Sequence, residues 1–421
     1  MNKQERIKII LGWTLFAVFI AFILQWSYAK AYDDAQRGSY IIRMCLGIAF
    51  GYILVRSNFG FAGPIKKLVY NGDGKQARAM ILLMMLSTVI IGCFFFAQKS
   101  LDKQTGTAIG WGSILGGLMF GLGMMYAGGC ASGTLTAVGT GVVTSVYVLF
   151  FFIMGANVGS VINTQITKNA EWWNWTTAEQ SFYGNKFGSN GLIWAIVLNL
   201  TIFVVFLFIV KGVEIYRNKK GTFTVTNLPN DNKREEELQE KYFQMFSLRT
   251  YFYLFQKRWN WLTGALLLAL VLAGCKLSGN MPGIIGGAGK LGEWLMYSLG
   301  WKDILKSGAT TGFGKAQIHP LQDLAIIFNV AVFAGALFYQ LTAGKMKFSN
   351  FKKWTWKEWV FLPMAGLGMG IGARLAGGCN VGAMWAGTSS LSAHGFMFTI
   401  FMIGGGVAGA MLLKKSKFIC R

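Results

Sequence analysis

The stretch Ala127-Gly128-Gly129-Cys130-Ala131-Ser132-Gly133 returns near the other end of the chain as Ala376-Gly377-Gly378-Cys379-Asn380-Val381-Gly382. Placing one copy on the other also aligns Gly117 with Gly366, Leu118 with Leu367, Gly121 with Gly370 and Gly123 with Gly372. Beyond the cysteines, Ala137 meets Ala386, Phe152 meets Phe401 and Gly155 meets Gly404. A glycine ladder ending in a thiol, present twice, is the mark of an internal duplication.

The residues around these motifs decide the solvent. The chain has 421 residues, of which 53% are hydrophobic and only 14% charged, against about 25% charged in soluble domains. Uncharged apolar runs of about 20 residues recur, each long enough to cross a bilayer as a helix. The expectation is an all-α polytopic membrane protein. Its formal net charge of +23 is placed on cytoplasmic loops and against anionic lipid. Nucleic acid is not expected as a partner, although the same field helps to draw in an anionic substrate.

Three regions follow. Residues 1–210 form an N-terminal transmembrane repeat, 211–258 a cytoplasmic connector with ten basic and six acidic residues, and 259–421 a second repeat. Ile9 to Tyr28 is expected to span. Met44 to Val55, bounded by Arg43 and Arg56, is too short to cross upright and reads as a half-helix. Thr311-Gly312-Phe313-Gly314 echoes Asn58-Phe59-Gly60-Phe61, so half-helices are expected there too. The loop from Arg56 to Arg78, with five basic residues and one acid, is expected in the cytoplasm, and Trp172, Trp173, Trp175 and Tyr183 anchor an external interfacial loop. The helix reaching Cys130 starts from the weakly charged side. The one reaching Cys379 starts from the basic side. The two repeats are therefore expected to be inverted, with short, interrupted or re-entrant helices, an arrangement typical of transporters.

Glycines before a cysteine let backbone approach closely and leave the thiol unshielded. A helix N-terminus beside it favours an anion. A small sulfur-bearing anion could then hydrogen-bond to the S–H. One such motif alone fits glycine packing around an inert thiol; two, in opposed copies, favour the functional reading. The candidate substrate-contacting residues are Gly128, Gly129, Cys130, Ala131, Ser132 and Gly133, with Gly378, Cys379 and Asn380. Arg374, the only charge between Glu358 and Lys414, either attracts the anion or reaches to the interface. Cys45, Cys93 and Cys275 read as packing residues, Cys420 as incidental and His394 as structural. No carboxylate lies in an expected spanning helix, and neither GGAGK at Gly286 nor GFGK at Gly312 completes a phosphate loop. No cofactor or metal is expected, nor an enzyme. A thiol-redox protein is the alternative from another class, and the missing Cys-x-x-Cys pair counts against it.

Through Gly128-Gly129-Cys130-Ala131-Ser132-Gly133, Gly377-Gly378-Cys379-Asn380 and Arg56-Ser57-Asn58-Phe59-Gly60-Phe61-Ala62-Gly63, the chain resembles the YeeE/YedE family of bacterial sulfur-transport membrane proteins, over roughly Gly47 to Leu413. The resemblance implies a multi-pass protein of the bacterial inner membrane, termini in the cytoplasm, that imports thiosulfate along a narrow path of thiols. Cys130 and Cys379 match two of those thiols. Some members carry a third in the early motif, where this chain has Gly60. The departure leaves open a relay of two, a stand-in from Cys45, or a different sulfur or selenium substrate. The resemblance also implies a small cytosolic sulfur-carrier protein as partner.

Overall fold

The computed structural model describes residues 3–29, 34–98, 107–177, 181, 183, 191–224, 248–279, 282–300, 319–344 and 355–416. The Thr311–Gly314 echo and Cys420 lie outside them.

The described residues are almost entirely helical. In chain order the helices are α1 (Lys3–Ala29), α2 (Asp34–Arg56), α3 (Gly63–Asn71), α4 (Lys75–Gln98), α5 (Trp111–Tyr126), α6 (Ala131–Gly139), α7 (Val143–Asn169) and α8 (Gly191–Lys219). After a short helical segment over 248–256 come α9 (Trp261–Leu277), α10 (Ile284–Ser298), α11 (Leu324–Thr342), α12 (Trp356–Leu375), the π-helical α13 (Asn380–Gly387) and α14 (Ala393–Ser416). Seven helical stretches among the described residues are long and apolar enough to cross a bilayer, or nine if two bent pairs each count as one span. One bent pair is α12 with α13, which turn by 41° at Cys379. Their large apolar side chains face outward, as with Phe208 of α8 at 72% exposure, because lipid rather than water is their solvent.

The glycine ladders decide the packing. In the bilayer, helices associate through close van der Waals approach at small residues. α5 packs on α14, α12 packs on α7, and α5 and α12 pack on each other. A Cβ on Gly117 would lie 3.1 Å from the Phe398 carbonyl oxygen, and one on its repeat mate Gly366 would lie 2.6 Å from that of Val148. The two copies thus use the same glycines on exchanged partners. Side chains at the next turn have no room: a Cβ on Gly121 would lie 2.7 Å from the Gly406 nitrogen, and one on Gly370 would lie 2.5 Å from the Ala156 nitrogen. Gly121→Leu and Gly370→Leu are therefore expected to separate these pairs, costing at least the ~1–3 kcal/mol of overpacking. Both should run as aggregated species on size-exclusion chromatography in mild detergent.

Two expectations change. Met44 to Val55 is not a half-helix but the end of the 23-residue α2. Arg43, taken as its boundary, sits inside the helix. The interruption falls later, over 57–62, before the short α3. Trp173 does not join the interfacial belt. It is 5% exposed and packs inward beside Gly112, while Trp172 and Trp175 stay exposed.

Candidate functional site

Both thiols are presented by the same turn. α5 ends at Tyr126 and α12 at Leu375. Gly128 (φ +76°) and Gly377 (φ +68°) occupy the left-handed region, which only glycine enters without strain and which ends helices. Each chain then re-enters a helix at its cysteine. Cys130 is the N-cap of α6, and its carbonyl accepts from Thr134 N–H at 2.7 Å. Cys379 is the N-cap of α13, and its carbonyl accepts from Ala383 N–H at 2.7 Å. The two cysteines are 1% and 0% exposed.

Their immediate surroundings differ. Gly133 N–H donates to the Cys130 sulfur at 3.4 Å, and Ser132 Oγ lies 3.2 Å from it. Ala131 is buried directly behind it. Cys379 makes no side-chain cap. Its neighbour Asn380 donates to Met124 Sδ at 3.9 Å, and its Oδ1 is buried without a hydrogen-bond partner among the described residues. His394, buried, meets the Ala376 carbonyl at 2.5 Å and pins the end of α12 just before the turn.

A cavity of about 320 Å³ reaches Cys130. Gly128, Gly129, Cys130 and Gly133 line one side, and Asn58, Phe59, Gly60, Ala62 and Gly63 line the other. Ala131, Ser132, Gly378, Cys379, Asn380 and Arg374 are not on its wall. Nothing lies within 4 Å of a Cβ built on Gly60, so this position faces open space. Gln76, 2% exposed, holds the facing loop by donating to the Asn58 and Gly60 carbonyls, both at 3.3 Å. Cys45 is exposed and not part of the wall.

The arginine of the early motif is a structural cation. Arg56 is 3% exposed and donates to the carbonyls of Lys257 (3.0 Å), Leu254 (2.5 Å) and Tyr253 (2.8 Å). Its guanidinium stacks 4.0 Å from the Trp259 ring. These contacts tie the end of α2 to the segment before α9 and leave the charge no freedom to hold a ligand.

Arg374 has a different setting. A Cβ on Gly289 would collide with its guanidinium, so the group lies directly on the bare backbone of α10. One turn further along α10 lies Glu293, 2% exposed. Arg374 Nε is buried and has no hydrogen-bond partner among the described residues. Asn157 of α7 packs on Gly292 beside this pair. Arg374 therefore packs against α10 with its Nε inside the protein. Glu293 had escaped notice because α10 is amphipathic and interrupted by glycines. A second carboxylate, Glu214 of α8, is 8% exposed and paired with Arg78. Among the described residues no group of three His, Cys, Asp or Glu side chains converges as metal ligands would.

Comparison with known proteins places these features in context. A family model described as sulphur transport matches residues 56–408. The thiosulfate transporter TsuA of Spirochaeta thermophila is 26% identical over 397 residues, covering 88% of this chain and 98% of that protein. TsuA of Escherichia coli is 24% identical over 361 residues, covering 85% and 90% respectively. A shorter match of 111 residues, 30% identical, is to the probable transporter YedE of Escherichia coli and covers 26% of each chain.

Proposed function

From the premise that this chain belongs to the sulphur transport family of multi-pass membrane proteins, we propose that it imports thiosulfate, with Cys130 and Cys379 contacting the ion in turn. The observation that carries this reading is the pair of buried thiols on identical left-handed glycine turns, one of them opening onto a cavity. The names of the TsuA relatives support the choice of substrate.

The chemistry follows from the ion. Bringing a bare dianion into the bilayer costs far more than any single contact returns, so each station must offer donors. At Cys130 the donor on the cavity wall is the S–H, set at the start of α6, whose helix dipole adds a partial positive charge. A thiol is a weak, soft donor. It suits the polarizable terminal sulfur of thiosulfate and holds the ion loosely enough to release it. No covalent bond is needed. Arg374, with its buried and unpartnered Nε, attracts the anion toward Cys379, and Glu293 balances that charge when the ion is absent.

The reciprocal glycine packing supports the inverted arrangement. Two copies facing opposite leaflets would give one thiol to each half of the path, with the ion passing from Cys379 to Cys130 and then into the cavity on the cytoplasmic side. Gly60 leaves that cavity without the third thiol of some relatives, so the relay here has two stations.

Uptake of radiolabelled thiosulfate into proteoliposomes, with unlabelled thiosulfate, sulfate, sulfite and selenite as competitors, tests this function. The expected result is saturable uptake blocked by thiosulfate and not by sulfate. Equal block by sulfate would remove the thiols from any selecting role.

A further inference from the structure

Sixteen residues line the cavity beyond Cys130, and only one of them, Lys67, bears a charge. Lys67 sits on α3, whose start is set by Pro64 and whose end is set by Gly72 in the left-handed region (φ +71°). Its ammonium lies 4.3 Å from the centre of the Trp261 ring. Trp261 is 8% exposed, and its Nε1–H is buried without a hydrogen-bond partner among the described residues. An ammonium over an indole face is held by a modest attraction, on the order of 0.5–2 kcal/mol. A doubly charged anion in the cavity would outcompete it. The lysine stem is long and flexible, so the ammonium can leave the ring without moving α3.

The other walls suit a hydrated oxyanion. A water's share of liquid volume is about 30 Å³, so a cavity of about 320 Å³ has room for a small oxyanion with part of its hydration shell. The hydroxyls of Thr136 and Thr140 are spent on the Gly133 and Ala137 carbonyls, and Gln76 spends its amide hydrogens on the facing loop. The lysine is therefore the group left to hold charge.

We propose that Lys67 is a second anion site, one station beyond Cys130, where a sulfur oxyanion is received as it leaves the thiol and draws the ammonium off Trp261. This rests on the transport function proposed above. Lys67 would supply the attraction that makes the step away from Cys130 favourable, and an ammonium that makes no hydrogen bond among the described residues would swing freely enough to let the ion go on.

The test combines thiosulfate uptake into proteoliposomes with a fluorescence titration of purified protein. Lys67→Met, matched to wild type for folded protein by size exclusion, is expected to lower uptake about tenfold or more, as loss of one charge-assisted contact does. Lys67→Arg keeps the charge and should retain about half or more of the wild-type rate. Thiosulfate should shift the emission of wild-type protein, and the shift should vanish in both Lys67→Met and Trp261→Phe; a purely structural lysine would not produce that pattern. If Lys67→Met does not fold, Lys67→Gln takes its place. Uptake by Lys67→Met within about twofold of wild type, or equal loss in Lys67→Met and Lys67→Arg, overturns the site and leaves the transport function standing. Failure of wild-type protein to take up thiosulfate counts against the function instead. In that case the fluorescence shift decides the anion site alone: present, it supports the site; absent, it overturns it.

Discussion

Replacing either Cys130 or Cys379 with alanine is expected to lower the initial rate of thiosulfate uptake by about 10- to 100-fold, the effect of losing a hydrogen bond to a charged group, worth about 1.5–3 kcal/mol. Each substitution removes one sulfur and, at Cys130, the acceptor that caps Gly133 N–H, a cap worth about 0.5–2 kcal/mol. Neither cysteine sits in a helix interior, and the turns before them are made by Gly128 and Gly377. Folding should therefore survive, and size exclusion in detergent should return a wild-type profile. Serine at either position keeps a donor but not a soft one, so Cys130→Ser and Cys379→Ser should fall between alanine and wild type for thiosulfate. Cys45→Ala and Cys93→Ala serve as comparisons. Both residues are exposed, and neither lines the cavity, so uptake should be unchanged. Full uptake by both Cys130→Ala and Cys379→Ala would remove the thiols from the path.

The second large effect concerns Arg374. Arg374→Met takes the guanidinium from a Glu293 carboxylate that is 2% exposed. Taking a positive charge from the neighbourhood of a buried carboxylate is destabilising, because attraction that offsets the cost of desolvating it is lost. The variant should yield less folded protein than wild type. Adding Glu293→Gln removes the carboxylate as well and should restore part of the yield, since neutral replacement of buried charges is often tolerated. The double variant then separates two roles. If Arg374 serves only Glu293, the folded double variant transports normally. If the arginine also draws the anion toward Cys379, the double variant folds yet takes up thiosulfate at least about tenfold more slowly. The unpartnered Nε favours the second outcome.

Much of this architecture could be read from the chain before any coordinates. The duplication was visible because the ladder is made of glycines. A residue without a side chain is tolerated where helices touch, so the same positions recur in both copies. The thiols were visible because they end both ladders. What escaped was set by three-dimensional pairing. Arg43 looked like a boundary because α2 begins in a polar stretch at Asp34, which no apolar run marks as helix. Arg56 read as the end of an apolar run, and nothing in the sequence signalled that three carbonyls near residue 255 hold its guanidinium. Glu293 lay in a glycine-rich stretch whose helix, α10, is amphipathic and only 15 residues long. Lys67 was one of several lysines in a basic loop, and no periodicity separates a lysine that faces a cavity from one that faces lipid headgroups.

The central claim is that both buried thiols touch the transported ion. Alkylation by N-ethylmaleimide in membranes, followed at each cysteine by mass spectrometry with thiosulfate or sulfate present, tests it most directly. The expected result is that thiosulfate, at a concentration that saturates uptake, slows modification of Cys130 and Cys379 while sulfate does not, and that Cys45 and Cys93 react equally in every condition. Unchanged rates at Cys130 and Cys379 under saturating thiosulfate would contradict the claim.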